Sequence, residues 1–533
     1  MWVGSWSRVY NCSEVASSRG DGPTSLRITI LSVFVYQSTS PRRYRGSSAT
    51  SRETAALSVF LGIYLVLFTL ALLWIIGSDA LRERCHLFST RNIFLAGLIL
   101  FQSASGAVTL FTGETERGAH MDDFALPGLG FSVILTVFTV LFLWVYNRAN
   151  AAERLAARFT HIRVTSQTRL VVAGILLTGI GVGLRFVGAQ IPYVAILLPQ
   201  LAAGCLCGGV AFVAVAWARS AFNILIAFIL LGTTAASSAI LLVGTFGRRE
   251  ILGILFSIMW SLYYEKWRLM SAAWLLPRVA IASAGLSVVV LAVSSSRVSG
   301  ENVDRSLTQQ VERVFTIDPQ SVQENVIAAL SGQFAGGISM WILEARVRYS
   351  EYDPLHSLVY FITLPIPRDF WKGKPEGLGL IVVDEAGVTG VSEGHSWGPG
   401  LVGHLSHDFV LISLPIYAFL LALTFRYIDT RVSLSQNDPL TIAIFGSALG
   451  QVLGMPRGDL GLFAFNMVAA FSGVWVFGRL AAKLCMPIDR QAELDASSDE
   501  EFNDESSGDE NHETWPSDGY AEVDEPTERP SRT

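Results

Sequence analysis

The chain has 533 residues, of which 51% are hydrophobic and only 16% are charged. A soluble globular protein carries about 25% charged residues, and the apolar residues here form blocks of about 20, the length that crosses a bilayer. The formal net charge of −6 combines a mildly basic body with an acidic end, because residues 489–533 hold 16 acidic and 3 basic residues. This composition excludes a soluble globular enzyme and predicts an all-α polytopic membrane protein.

The succession of apolar and polar segments along the chain predicts five regions. Residues 1–54 are rich in serine and arginine, and their one apolar run is too short to span, so this part is predicted to be a disordered extension. A helix bundle over 55–295 follows, then a long polar segment over 296–408, C-terminal helices over 409–485 and a disordered acidic tail over 486–533. About eleven spans are predicted, at 55–77, 92–112, 124–146, 170–187, 192–217, 221–245, 251–264, 277–295, 409–427, 440–454 and 460–482.

The arginines of the short loops predict the orientation. The loop at 147–169 holds five arginines against one glutamate, which places it in the cytoplasm by the positive-inside rule. Counting spans from that loop puts 296–408 on the periplasmic side and the acidic tail in the cytoplasm. Four arginines before the first span do not fit this count, since they are predicted outside: Arg42, Arg43, Arg45 and Arg52.

The periplasmic segment 296–408 is too long for a simple connection and is predicted to be one large, partly helical loop. Apolar spacing over 307–330 predicts amphipathic helices that lie on the membrane or on the bundle. The second half is rich in glycine and proline, which break regular structure and let the backbone approach a ligand.

Four arginines fall where few are expected. Arg248 and Arg249 lie in a predicted outer turn, Arg457 lies in another, and Arg185 lies near the outer end of its span. Ionisable residues at membrane depth often mark a binding or transport path. Snorkelling toward the interface, or a topology shifted by one span, is the alternative interpretation.

The densest group of cations lies in residues 364–375. Arg368, Lys372 and Lys374 occur there with Trp371 among prolines that stiffen the chain. Arginine grips phosphate oxygens through paired hydrogen bonds and lysine adds mobile positive charge, while a tryptophan can stack on a sugar or anchor at the interface. The segment therefore predicts a phosphate or anion site, with a basic membrane anchor as the alternative.

The order Pro-Arg-x-x-Trp-x-x-Lys-Pro at 367–375 resembles the bacterial oligosaccharide repeat-unit polymerases, the Wzy-type O-antigen polymerases. The number of spans, the single large late loop and the turn Gly247-Arg248-Arg249 fit the same resemblance. It covers roughly 55–485 and is specific only at 364–375, because topology is the main feature that unites this family.

The resemblance implies a glycosyltransferase of the bacterial inner membrane that uses neither metal nor cofactor. It would transfer a growing glycan from polyprenyl diphosphate to the next lipid-linked repeat unit, in O-antigen, capsule or exopolysaccharide synthesis. Arg249, Arg368, Lys374 and Arg457 would be its functional cations. Its donor and acceptor would both be lipid-linked oligosaccharides in the bilayer, with a chain-length regulator or a flippase as further partners and no nucleic acid.

The chemistry of the residues agrees with that implication. Negative charge develops on a leaving diphosphate, and fixed cations in a water-poor site stabilise it. The acceptor hydroxyl also needs a base, and His395 is preferred over the other candidates of the glycine-rich half: Asp384, Glu385 and Glu393. His404 is followed three residues later by another histidine, a spacing that allows a metal pair, but a surface or capping role is favoured.

Two other functions remain open. An O-antigen ligase-like enzyme would use the same donor with a different acceptor, and a histidine in the outer loop, His395 or His404, is a feature associated with such ligases. A transporter or flippase of the lipid-linked unit is the competitor from another class. Transporters place charged residues at broken helices within internal repeats, and the sequence shows no convincing repeat.

Overall fold

The computed structural model describes residues 50–82, 85–115, 119, 121, 123–158, 166–188, 190–191, 194, 197–242, 248–271, 274–275, 277–279, 281, 285, 335–349, 353–388, 396–435 and 438–485. Every regular element in these ranges is helical, which confirms the all-α prediction for them. The chain divides into two units, Met1–Arg52 and Glu53–Thr533, and the description below concerns the second.

The helices are numbered here in chain order as α1 Thr50–Leu81, α2 Thr90–Leu98, α3 Ser105–Thr112, α4 Ala125–Arg148, α5 Asn150–Ala157, α6 Gln167–Gly188, α7 Leu197–Arg219, α8 Ile224–Leu242, α9 Arg248–Glu265, α10 Ala335–Tyr349, α11 His356–Thr363, α12 Leu378–Glu385, α13 Gly400–His407, α14 Val410–Leu434, α15 Pro439–Gly446, α16 Leu449–Gly454 and α17 Leu460–Cys485. A π-helical segment, Ile99–Ala104, joins α2 to α3, and a short 3-10 helix, Trp267–Leu269, follows α9.

Within the described ranges, eight helical runs are long and apolar enough to cross a membrane: Glu53–Leu81, Thr90–Thr112, Ala125–Arg148, Gln167–Gly188, Leu197–Arg219, Ile224–Leu241, Val410–Leu434 and Leu460–Leu484. These runs agree with a multi-pass membrane protein. The predicted span 277–295 lies mostly outside the described residues. The predicted spans 251–264 and 440–454 correspond to α9 and to the shorter apolar run Pro439–Gly454. The total of eleven therefore stays a prediction.

Helix α7 forms the centre of the bundle because its glycines let neighbouring backbones approach. A Cβ atom on Gly204 would lie 2.6 Å from the backbone of Ala470 in α17, and one on Gly209 would lie 2.7 Å from the carbonyl oxygen of Gly174 in α6. Small residues allow such close packing between membrane helices. Consequently, every residue of α7 from Ala202 to Ala216 is buried.

Polar contacts join the loops predicted to be cytoplasmic. Buried Asp429, near the end of α14, accepts hydrogen bonds at 2.7 Å from the Thr90 amide at the start of α2 and from the Tyr146 hydroxyl at the end of α4. Three ion pairs hold the same end of the bundle: Arg91–Asp79, Arg219–Glu265 and Arg426–Glu153. The arginine-rich loops thus meet near the C-terminal end of α14, while the first residues of α14 lie at the opposite end of this helix.

Part of the predicted periplasmic loop packs inside the bundle. Most described side chains of α10 are buried, and a Cβ atom on Gly336 would lie 2.4 Å from the Gly106 amide nitrogen in α3. The glycine-rich half, predicted to lack regular structure, contains the short helices α12 and α13. The predicted amphipathic helices over 307–330 lie outside the described residues.

Candidate functional site

The cation segment, residues 364–375, follows α11 as a compact turn. Lys374 is only 6% exposed, and its Nζ donates hydrogen bonds to the carbonyl oxygens of Leu364 at 2.8 Å and Ile366 at 2.9 Å. Carbonyls at the end of a helix lack intrahelical partners, so a buried ammonium stabilises this turn. Burial first, and the nearby charge of Arg368 second, lower the pKa of Lys374. The buried ammonium of Lys374 therefore holds the turn together through its hydrogen bonds to the main chain.

Arg368 lies on the outside of the same turn. Its guanidinium is 3.2 Å from Glu376 Oε1, and the two side chains are 50% and 48% exposed. An exposed ion pair contributes only about 0–1 kcal/mol to stability. An anion that accepts more hydrogen bonds from Arg368 can therefore displace Glu376. Tyr360 lies close to both residues, and its pKa is raised by burial and then by the carboxylate of Asp459.

Exposed apolar side chains occur close to Arg368 in the chain, among the charged residues of the same segment. Ile362 is 62% exposed, Phe370 is 75% exposed and Trp371 is 40% exposed. Lys372 is exposed as well. Apolar side chains next to cations are typical of a surface that meets lipid headgroups and the upper acyl chains. The cation segment thus combines positive charge with an apolar surface.

The second part of the site is the recessed turn, Met455–Asp459, between α16 and α17. The carbonyl oxygen of Pro456 accepts a hydrogen bond of 2.6 Å from Nε2 of Gln102. Gln102 is fully buried near the middle of the helical run Thr90–Thr112, about 15 Å of helix from the end of that run. The sequence predicts an outer turn here, whereas the structure packs it against the interior of the bundle.

Arg457 and Asp459 are the ionisable residues of the recessed turn. The guanidinium carbon of Arg457 lies 5.9 Å from the ring centroid of Phe101, within the range of a cation–π interaction. A Cβ atom on Gly398 would lie 2.6 Å from the Arg457 carbonyl oxygen, and one on Gly377 would lie 2.9 Å from Asp459 Oδ2. These glycines let the polar segment approach the turn, so the structure brings the regions of Arg368 and Arg457 together.

A buried hydrogen-bond network holds α11, α13 and α17 at this site. Nε2 of His404 accepts a hydrogen bond of 3.0 Å from the Leu460 amide, and its Nδ1 lies 2.6 Å from the Ser357 hydroxyl. Because Nε2 accepts, the neutral ring carries its hydrogen on Nδ1 and donates to Ser357. Burial lowers the pKa of His404 and favours this neutral form. His404 therefore caps the start of α17.

Asp408 continues the network. Its Oδ2 accepts hydrogen bonds from the Ser357 amide at 2.8 Å and from the Tyr417 hydroxyl, and its Oδ1 is 3.1 Å from Nδ1 of His407. Burial alone would raise the pKa of Asp408, but the hydrogen bonds from His407, Tyr417 and Ser357 outweigh burial and lower it. Asp408 is thus an ionised anchor for the start of α11.

Two residues beside this network have a strained backbone. Leu355 has a φ of 61° and Phe409 has a φ of 65°, and the Leu355 amide donates a hydrogen bond of 3.3 Å to the Asp408 carbonyl oxygen. Left-handed backbone at such residues costs about 1–3 kcal/mol each and persists only where surrounding contacts enforce it. The network thus fixes how α11 and the cation segment sit on the bundle.

The start of α9 carries two of the predicted cations. Arg248 is the first residue of that helix, so the pair Arg248 and Arg249 begins a helix where the sequence predicts a turn. Their side chains lie outside the described residues. The next residue, Glu250, lines a cavity together with Gln451 of α16, and α16 leads into the recessed turn.

The remaining predicted site residues are dispersed. Arg185 lies in the last turn of α6. Asp384 and Glu385 are exposed at the end of α12. Glu393 and His395, which were predicted to act in catalysis, lie outside the described residues.

Comparisons with protein-family models, with curated proteins and with solved structures find no match to this chain.

Several residues of the site have no clear signal in the sequence. Gln102 lies in a π-helical segment, a feature that recurs at functional sites but depends on tertiary packing. Asp459 directly precedes the apolar helix α17, and Ser357 lies within the mostly apolar helix α11. The proximity of Asp459 to Arg457 in one turn is the sequence feature that could have indicated Asp459.

Proposed function

We propose that this chain is a glycosyltransferase of the bacterial inner membrane that polymerises polyprenyl-diphosphate-linked oligosaccharide repeat units at the periplasmic face. The observation that carries the proposal is the position of Arg368. Its guanidinium is half exposed, and exposed apolar side chains, among them Phe370 and Trp371, are close to it in the chain. A ligand that suits such a surface has an anionic head and a long apolar tail, and a polyprenyl diphosphate has both.

The first step of the proposed mechanism is binding of the donor diphosphate. Arg368 releases Glu376 and forms paired hydrogen bonds to phosphate oxygens, which are stronger than its exposed ion pair. Arg457 contributes positive charge from the recessed turn. Lys374 keeps the segment folded from within, and Trp371 stacks on a sugar or rests at the interface.

The second step is transfer of the glycan. The acceptor hydroxyl oxygen attacks the anomeric carbon of the donor, the bond from that carbon to the phosphate oxygen breaks, and the diphosphate leaves with the electron pair. Fixed guanidinium groups stabilise this developing charge without reorganisation. The hydroxyl proton passes to a carboxylate or imidazole, and Asp459 joins Glu393 and His395 as a candidate because it lies beside Tyr360 and Gly377.

The hydrogen bonds of His404 bear on the ligase alternative. Its Nε2 lone pair accepts from the Leu460 amide and is therefore not available to take a proton from an acceptor. A ligase-like reaction that uses a loop histidine would then depend on His395. A transporter is a second candidate, favoured by the helix break between α15 and α16, because such breaks recur at transport sites.

Product analysis separates the three functions. The purified chain would be placed in vesicles with lipid-diphosphate-linked repeat units, and the glycans would be separated by electrophoresis. The proposal predicts a ladder of products that differ by one repeat unit. Transfer of one glycan of fixed length to a different acceptor would indicate a ligase. Unmodified units moved to the opposite leaflet would indicate a transporter, and either result would overturn the proposal.

A further inference from the structure

A small polar cavity lies inside the helix bundle, away from the cation segment. It has a volume of about 10 Å³, the room that one water molecule or one small ion requires. Helix α7 borders it on one side, and α9, α16 and α17 complete its walls. Its lining is Gln200, Ala203, Gly204, Cys207, Glu250, Gly253, Ser447, Gly450, Gln451, Asn466 and Ala470.

Two amide side chains in this cavity carry polar atoms that have no hydrogen-bond partner among the described residues. Asn466 is 1% exposed, and neither its Oδ1 nor its Nδ2 has a partner; Gln451 is 7% exposed, and its Oε1 has none. Buried polar groups are almost always satisfied in folded proteins, and three such atoms around one cavity indicate an occupant. Two of the three are oxygen atoms, which accept hydrogen bonds or coordinate a cation.

The charge of the cavity favours a cation over a neutral occupant. Glu250 is 2% exposed and brings a carboxyl group to a wall otherwise made of amides, small residues and one thiol. Arg185 interacts electrostatically with Glu250 but does not line the cavity. Carboxylates buried inside a bundle of apolar helices are costly and commonly mark ion or proton sites.

The helix break beside the cavity supports the same conclusion. Helix α15 ends at Gly446, α16 begins at Leu449, and Ser447 between them lines the cavity. Interrupted membrane helices expose carbonyl groups that coordinate small cations at buried sites. A single carboxyl group with amide oxygens suits a monovalent ion, since divalent cations are usually bound through several charged or water ligands.

We propose that the cavity formed by Glu250, Gln451 and Asn466 is a binding site for one dehydrated monovalent cation of the size of Na⁺. The ligands would be a carboxylate oxygen, the two amide oxygens and main-chain oxygen at the helix break. This site is separate from the glycosyl-transfer site proposed above, because none of its lining residues belongs to the cation segment or to the recessed turn. Its test can therefore fail or succeed without deciding the enzyme activity.

Thermal unfolding of the full chain in detergent tests the site. The midpoint would be measured in chloride salts of Na⁺, K⁺ and N-methyl-D-glucamine at one ionic strength. A ligand that binds only the folded state raises the midpoint in a saturable manner, and we expect Na⁺ to raise it by a few degrees, on the order of 2–4 °C. Asn466→Leu and Gln451→Leu should each abolish the difference between Na⁺ and N-methyl-D-glucamine.

The matched control is Ser237→Ala. Ser237 is also fully buried with an unpartnered hydroxyl but does not line the cavity, so its variant should keep the Na⁺ effect. Retention of ²²Na⁺ by the wild-type chain provides a second measurement that needs no variant, and one displaceable ion per chain is expected. Equal midpoints in all three salts, or no retained ²²Na⁺, would mean that the cavity holds only water and would overturn the proposal.

Discussion

Two cations of one segment, Arg368 and Lys374, have opposite environments. Lys374 is buried against main-chain carbonyls, whereas Arg368 is half exposed in a weak ion pair. The sequence predicts both as ligands for phosphate, because residue type and spacing do not reveal burial. Among the cations of this segment, the contacts favour Arg368 as the one that binds the substrate.

Substitution of Arg368 tests that role. Arg368→Ala should lower the rate of glycan polymerisation about 10²–10³-fold, the usual loss when one group that stabilises developing negative charge is removed. Arg368→Lys should also be poor, because an ammonium cannot reproduce the two-pronged grip of a guanidinium. The free energy of unfolding should change by less than about 1 kcal/mol. Polymerisation would be measured in vesicles at equal protein levels.

Arg148→Ala is the control for this prediction. Arg148 is another exposed arginine beside a tryptophan, with its guanidinium 4.8 Å from the ring centroid of Trp144, but it lies at the opposite end of the bundle. Its substitution should leave the polymerisation rate unchanged. Near wild-type activity of Arg368→Lys would instead favour a membrane anchor, since either cation can reach the interface.

His404 should make stability depend on pH. Its pKa is lowered in the folded chain, so below the ordinary histidine value of about 6.5 the unfolded chain binds more protons than the folded one. Stability therefore rises as pH increases toward about 6.5 and then levels off. His404→Gln retains a donor and an acceptor without titration, and its stability should change less over this range.

The comparison of wild type with His404→Gln needs two controls. Burial also lowers the pKa of His86, which contributes a slope of the same sign, so the quantity to compare is the difference between wild type and variant. Unfolding midpoints would be recorded from pH 5 to 8, with His512→Gln in the predicted disordered tail as the control. An identical pH profile for wild type and His404→Gln would contradict the assigned hydrogen bonds.

At the scale of elements, the sequence predicts the long helices better than the parts between them. The long spans follow from continuous apolar runs, and all eight observed runs correspond to predicted spans. Their ends differ from the prediction by only a few residues, except that Val410–Leu434 continues well past the predicted end at residue 427. The recessed turn is different: its depth depends on where the neighbouring helix carries Gln102, and this partner is far away in the sequence. The sequence likewise predicts a turn where α9 begins, because Arg248 and Arg249 are typical of a loop.

Substitution of Lys374 should lower the stability of the cation segment. Lys374→Met keeps the length of the side chain but loses two hydrogen bonds from a charged donor, and such bonds contribute about 1.5–3 kcal/mol each. We expect a loss of stability on the order of 3 kcal/mol and faster proteolysis near 364–375. Lys372→Met is the matched control, because Lys372 is exposed. Equal stability of the two variants would refute the capping role.

At the scale of the whole molecule, the arginine-rich loops meet at one end and the cation segment lies toward the other. The positive-inside rule assigns these ends to the cytoplasm and the periplasm, and that assignment remains a prediction. The sequence could predict the separation because loop charge follows topology. It could not predict that helix α10 and the recessed turn pack inside the bundle, since burial of these segments depends on contacts with distant helices.

Cysteine labelling tests the orientation. In a background without Cys12 and Cys485, Gly373→Cys should react with an impermeant maleimide added to the periplasmic side, because Gly373 is exposed. Native Cys85, which lies among the loops at the other end, should react only after the membrane is opened. The reverse pattern would place the cation segment in the cytoplasm and would contradict the proposed site of polymerisation.

The proposed function depends on recognition of a lipid diphosphate by the cation segment and its apolar neighbours. The most direct measurement is the affinity of the purified chain in nanodiscs for a polyprenyl diphosphate, compared with the same polyprenyl alcohol. The account predicts that the diphosphate binds at least about tenfold more tightly, a difference of about 1.4 kcal/mol, and that Arg368→Ala removes most of this preference. Equal affinity for the two lipids, or an undiminished preference in Arg368→Ala, would contradict it.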